Sequence, residues 1–387
     1  MSEPFLINTI LLQFKSISSY QKDLFGNIIS CQETVGHYLE KIEASADLNA
    51  FVEVFKEEAL DRAQYLDNKR KEGLPCGKLH GVIISIKDVI CYKDHKVTAG
   101  SRMLHDYISI YNSTVVERLL EEDVIIIGNC NCDEFAMGNT NENSVYGRVK
   151  NARDTSKVSG GSSGGSAVAV QADLCMVSIG SDTGGSVRQP ADFCGIYGFK
   201  PSYGAVSRHG LLAYASSFDQ IGVISKNQED AALVFDVIHG PDPFDITVSS
   251  KKHSPMKTLD EAAKNTPSYK IGLIRNLIDH DSLDPEIKAS ILSLVARLKT
   301  EGHEVIEIDL NQVDYMVPTY YILTTAEASS NLSRYDGIRF GYRAEEPSQN
   351  ISDFYKKNRS IAFSKEVKKR IMLGTFVLSE GYYDAYY

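Results

Sequence analysis

Short, nearly continuous apolar runs alternate along this chain with amphipathic stretches of helical period. Residues 80–90, 124–128 and 175–179 are rich in β-branched side chains with little polar interruption, the pattern of strands buried on both sheet faces. Residues 30–46 and 54–70 read as two amphipathic helices, with Val35, Tyr38, Leu39 and Ile42 on one face of the first. Further helices are predicted to close at residues 117–122, to start at Ala167-Val168-Ala169-Val170, and to span 229–239. This alternation from residue 80 to 240 predicts an α/β domain. Pro241, Pro243, Pro255 and Pro267 then mark a boundary or an insertion at the rim of one domain. Residues 270–274 and 305–310 read as strands of the same sheet. The helix between them has Asp284 as its cap, Pro285 at its first position and Gly302 beyond its end. Its Ile287, Ile291, Leu294, Val295 and Leu298 are expected to face inward.

The expected organisation is a helical segment over 1–75 packing on a core of 76–240, with 241–387 completing the same domain. The chain stops within a helical pattern, without a cap, as a truncated sequence would.

Composition narrows the function classes. The 387 residues carry 41 basic and 51 acidic groups, a net charge of −10. That balance argues against a chain that grips a phosphate backbone by itself. The seven cysteines are scattered and odd in number, and several sit in apolar runs, so they read as reduced and cytosolic. Cys130-Asn131-Cys132 lacks a second pair at ligand spacing, and no metal site is expected. The start, Met1 to Asn8, has no basic region, the first Arg is Arg62, and no apolar run approaches about 18 residues. Secretion, presequence import and membrane spanning are not expected.

Two serine-bearing glycine turns carry the chemistry. One is Lys157-Val158-Ser159-Gly160-Gly161-Ser162-Ser163-Gly164-Gly165-Ser166, the other Ser181-Asp182-Thr183-Gly184-Gly185-Ser186-Val187-Arg188-Gln189-Pro190. The apolar segment joining them is too regular for a linker. Glycines before a serine let successive N–H groups converge on one point, as an oxyanion requires. Lys87 and Asp88 stand near the end of the apolar run of 80–90, just before Val89 and Ile90. They could form a pair, or Lys87 could be a buried amine whose pKa falls far enough to act as a base. Gly160-Gly161-Ser162-Ser163-Gly164 also fits the nucleophile elbow of α/β-hydrolases. The residues before it are polar, however, and none of His209, His239, His253, His280 or His303 sits in a turn that marks a base. No Gly-Lys-Ser/Thr follows the glycines, so a P-loop is excluded.

Lys87 after a buried strand, the Ser162-Ser163 turn and the turn from Thr183 to Pro190 together resemble the amidase signature family. Asp133-Glu134-Phe135-Ala136-Met137-Gly138, residues 333–341 and residues 373–387 resemble its branch of glutamine-hydrolysing subunits from tRNA-dependent amidotransferases. The resemblance covers residues 75–387. It implies a large mixed central β-sheet with helices on both faces and a Ser–cis-Ser–Lys triad: Ser186 the nucleophile, Ser162 the relay, Lys87 the base. It implies an oxyanion hole at Thr183, Gly184 and Gly185, and substrate contacts at Arg370, Tyr320 and Met137, Arg370 taking a glutamine carboxylate.

The branch acts with subunits B and C in a cytoplasmic heterotrimer. The resemblance implies that this complex uses glutamine and Glu-tRNA(Gln), with ATP and Mg bound by the partner and no cofactor on this chain. The branch's carboxylate for the substrate amino group falls beyond residue 387. Gly138-Asn139-Thr140-Asn141 departs from the branch's smaller residues, and no role is assigned there. The alternatives are a stand-alone amidase of small carboxamides and a catalytically silent scaffold. Lys87, Ser162 and Ser186 together speak against the scaffold.

Overall fold

In the computed structural model, residues 14–251, 254–264, 268–345 and 347–387 are described. The amino-terminal stretch read for targeting, together with His253 and Pro267, lies outside them.

Six strands form one mixed sheet: β1 (Phe51–Val54), β2 (Ile83–Lys87), β3 (Ile125–Cys130), β4 (Val177–Asp182), β5 (Tyr197–Phe199) and β6 (Gln220–Ser225). Their order is β1-β3-β2-β4-β6-β5. The apolar runs decide the middle. Strand β2 is parallel to both neighbours, with Ser85 opposite Gly128 on β3 and Ser178 on β4. Ile83, Ile84 and Ile86 are wholly buried, as parallel strands covered on both faces must be. Strands β1, β5 and β6 pair antiparallel. Lys87 therefore ends a central parallel strand, and ligands of open α/β sheets sit beyond such carboxyl ends.

Helices flank this sheet. Three precede β2: α1 (Ile17–Phe25), α2 (Cys31–Ala44) and α3 (Lys56–Lys71). Helix α2 starts in a reciprocal cap between Ser30 and Glu33 and buries Val35, Tyr38 and Ile42. Helix α4 (Thr114–Glu121) lies between β2 and β3, α5 (Gly164–Gln171) between β3 and β4, α6 (Arg188–Cys194) between β4 and β5, and α7 (Gln228–Ile238) after β6. Helix α5 is buried from Gly164 to Val170, which its small, uniformly apolar sequence permits. One hydrophobic cluster runs from Ile17 to Val367.

Beyond residue 240 come α8 (Pro255–Lys264), β7 (Lys270–Ile274), α9 (Arg275–Ile278), α10 (Pro285–Thr300), β8 (Glu304–Ile308), α11 (Val313–Asn331), α12 (Ile351–Ala362), α13 (Lys365–Val377) and α14 (Tyr383–Tyr386). Here the structure corrects the expectation of a single sheet. Strands β7 and β8 pair parallel with each other, Ile271 opposite Val305, in a separate two-stranded sheet. Asp284 caps α10 as predicted, its Oδ1 accepting the Glu286 N–H at 2.8 Å. Yet α10 has no buried residue, and Ile287 is 53% exposed. Period identifies the apolar face of a helix, not whether the fold covers it. No described helix is long and apolar enough to cross a membrane.

Candidate active site

Lys87 is completely buried at the end of β2. Its Nζ donates to Ser162 Oγ at 2.7 Å, to Ser181 Oγ at 2.9 Å and to the Ser181 carbonyl at 3.4 Å. The Lys87–Asp88 pair left open by the sequence does not form. Asp88 accepts instead from the N–H groups of Thr98 (2.8 Å) and Gly100 (3.0 Å) and from the Thr98 hydroxyl. Neighbouring strand residues point to opposite faces, so the two side chains part. Burial pulls the Lys87 amine below its usual pKa, and the surrounding Cys132, Asp133, Asp182 and Asp219 oppose that shift without cancelling it. Burial likewise pushes the Asp88 carboxyl up to about 6.

Ser162 follows a cis peptide bond at Gly161–Ser162. The turn is held from below by Asp133, whose carboxylate accepts the N–H groups of Asn141 (3.0 Å) and Asn143 (3.2 Å). A Cβ on Gly161 would stand 2.2 Å from Asp133 Oδ2, so only glycine lets the carboxylate lie there. The Asn141 side chain accepts the Gly164 N–H at 2.8 Å, opening α5. Asn141 thus braces the turn from a stretch to which the sequence assigned no role.

The second turn hangs on Asp182, the last residue of β4. Its carboxylate accepts from Gly185 N–H (2.9 Å), Val187 N–H (3.0 Å) and Arg188 Nε (3.1 Å) and Nη2 (2.9 Å). Burial works to raise its pKa, and the Arg188 guanidinium with these N–H groups holds it below the usual range. Thr183 Oγ1 donates to Asp219 Oδ1 at 2.6 Å, and burial pushes that carboxyl up to about 6. Ser186 is 8% exposed. Its carbonyl accepts the Ser163 N–H at 3.1 Å, which ties the two serine turns together. The Gly185 N–H, expected to face an oxyanion, donates to Asp182 Oδ1 at 2.9 Å in this structure. The N–H groups of Thr183 and Gly184 have no acceptor among the described residues.

Tyr320, on α11, packs its ring on the second turn, where a Cβ on Gly184 would come within 2.5 Å of Tyr320 Cε2. Arg370, on α13, is buried. Its Nη1 donates to the Tyr214 hydroxyl at 3.0 Å, and its Nε pairs with Glu366 at 2.9 Å. The guanidinium also lies over the rings of Tyr214 and Tyr321. Tyr214 has no local signal in the sequence. Met137 is wholly buried within the hydrophobic core, against which Tyr320 also packs.

Among the described residues, Cys76, His80 and Asp123 form a cluster of metal-ligand type. Its carboxylate already holds Lys69 Nζ at 2.7 Å and the Gly77 N–H at 2.8 Å.

The site sets a buried lysine, hydrogen-bonded to a serine, between two glycine turns of a mixed sheet. Residues 33–387 match the model of the amidase family, and the chain belongs to that family. It is 49% identical over 377 residues to the A-type subunit of a glutamyl-tRNA(Gln) amidotransferase from Chlorobium phaeobacteroides, covering 97% of this chain and 78% of that relative. The crystal structure of a Thermotoga maritima protein of the same name superposes with a TM-score of 0.71 at 34% identity, covering 92% of this chain and 70% of that one. A bacterial aryl acylamidase of the amidase signature family, 24% identical, shares the fold with a TM-score of 0.83, covering 97% of this chain and 75% of that one.

Proposed function

We propose that this chain is the glutamine-hydrolysing subunit of a glutamyl-tRNA(Gln) amidotransferase. The observation that carries the reading is the buried Lys87 amine, 2.7 Å from Ser162 Oγ, in a chain about half identical to subunits of that name. A serine hydroxyl is a weak nucleophile and needs an adjacent base. Ser186 Oγ attacks the glutamine carboxamide carbon while its proton passes to Ser162, and the Ser162 proton passes to the neutral Lys87. The N–H groups of Thr183 and Gly184 receive the oxyanion, each donor contributing on the order of 3 kcal/mol. The proton returns through Ser162 to the leaving nitrogen, ammonia departs, and an ester remains on Ser186. Water then attacks that ester by the same relay and releases glutamate.

Arg370 binds the substrate α-carboxylate, for which its planar fork is suited, and Tyr320 walls the pocket beside Gly184. Ammonia goes to partner subunits B and C of a cytoplasmic heterotrimer, where Glu-tRNA(Gln) is activated with ATP and Mg. The net charge of −10 agrees with leaving the tRNA to the partner.

The test is ammonia release from glutamine and from propionamide, using the chain co-purified with its partners and Ser186→Ala as control. Glutamine-selective release that rises with Glu-tRNA and ATP, and is abolished in Ser186→Ala, is the expected result. Release from propionamide that ignores the partners would make the chain a stand-alone amidase.

A further inference from the structure

Asp133 and Glu134 are consecutive buried carboxylates that face opposite halves of the site. Asp133 lies against the Ser162 turn. Glu134 reaches the other way: its Oε2 accepts the Ser364 N–H at 2.9 Å and its Oε1 the Ser101 hydroxyl at 2.5 Å. Ser364 is the N-cap of α13, the helix that carries Arg370. The chain turns sharply straight after Glu134. Phe135 and Ala136 have φ of 50° and 59°, and the Phe135 ring packs 4.9 Å from that of Tyr335 and 5.7 Å from that of Phe363. A single dipeptide therefore links the serine turn to the start of the arginine helix.

We propose that Glu134 is a positioning residue that sets the distance from the serine pair to the Arg370 guanidinium, and so selects the length of an amino-acid carboxamide. The inference rests on the function proposed above. A substrate whose carboxamide is seated at Ser186 meets the Arg370 fork with its carboxylate only if the spacing matches, and a guanidinium displaced by about 1 Å loses the bidentate hydrogen bonds that hold that carboxylate. Glutamine and asparagine differ by one methylene, about that distance. The strut needs two hydrogen-bonding atoms at the length of Glu134, not its charge. A Gln would accept from the Ser364 N–H and donate to Ser101 Oγ. An Asp, one methylene shorter, reaches only one of the two partners.

The experiment compares Glu134→Gln and Glu134→Asp with the wild-type chain in its complex, on glutamine, asparagine and propionamide. Glu134→Gln should keep its KM for glutamine within about twofold. Glu134→Asp should raise that KM about tenfold with kcat within about threefold, and should lower the preference for glutamine over asparagine. Propionamide, which has no carboxylate, should be turned over equally by all three, which also reports that the triad is folded. An unchanged glutamine KM in Glu134→Asp, or parallel loss on propionamide, would overturn the proposal. Wild-type chain that hydrolyses propionamide but not glutamine would overturn the underlying function, and the strut with it.

Discussion

A lysine that ends a strand in the core either finds a carboxylate or loses its proton more easily. Lys87 has only hydroxyl and carbonyl partners, at 2.7 to 3.4 Å, so desolvation decides the direction. The lowered pKa has a definite sign in both activity and stability. Only the amine accepts the Ser162 proton, so kcat/KM should rise with pH through the folded-state pKa of Lys87, below the 10.5 of a free lysine. Between those two values the unfolded chain binds the extra proton, so Lys87 makes stability rise with pH in that window. Lys87→Arg fixes the charge, because arginine stays protonated. It should cost roughly three orders of magnitude or more in kcat, since members of a proton relay act as a unit. A pH–rate profile of wild type and variant checks both statements, and an active Lys87→Arg enzyme would remove the neutral base.

Between elements, α11 and α13 approach closely at Gly374. A Cβ on Gly374 would stand 1.9 Å from the Thr325 carbonyl oxygen. Two effects compete in Gly374→Ala. Helix propensity favours alanine by about 1 kcal/mol, while overpacking at a rigid backbone contact costs about 1–3 kcal/mol. The contact wins: Gly374→Ala should lower the Tm, and KM for glutamine should rise as α13 shifts Arg370 away from Tyr214. A higher Tm in calorimetry would mean that α13 is free to move. Strands β2, β3 and β4 and the cap of α10 are legible in the sequence because each is specified locally, by an apolar run or by Asp284-Pro285. Gly374, Asn141 and Tyr214 are not, because their meaning lies in the Thr325 carbonyl, the Gly164 N–H and the Arg370 guanidinium, which chain order does not reveal. Strand β1, Phe51-Val52-Glu53-Val54, is short and half-buried, and its last residue falls in a stretch whose pattern reads as the start of a helix. Lys87, Ser162 and Ser186 are recognisable as a combination of motifs; the Lys87–Ser162 hydrogen bond becomes visible only once the strands are paired.

At the scale of the molecule, the burial of the sheets is unequal. Every residue of β2, β3 and β4 is buried, and both serine turns are anchored to that block through Ser181, Asp182 and Ser163. In contrast, β7, β8 and α10 contain no buried residue, and their hydrogen bonds face water. Local opening free energy follows such burial, so the molecule should open from this unit first. Amide hydrogen exchange should therefore be at least roughly a hundredfold faster in β7 and β8 than in β2 and β4, a difference of about 2.7 kcal/mol in local opening. Ile271→Ala, opposite Val305, should widen that gap and leave the exchange of β2 unchanged, because the two sheets share no ladder. Equal protection in the two sheets would contradict the division, and would mean that the apolar face of α10 is covered in solution by a surface outside the described residues.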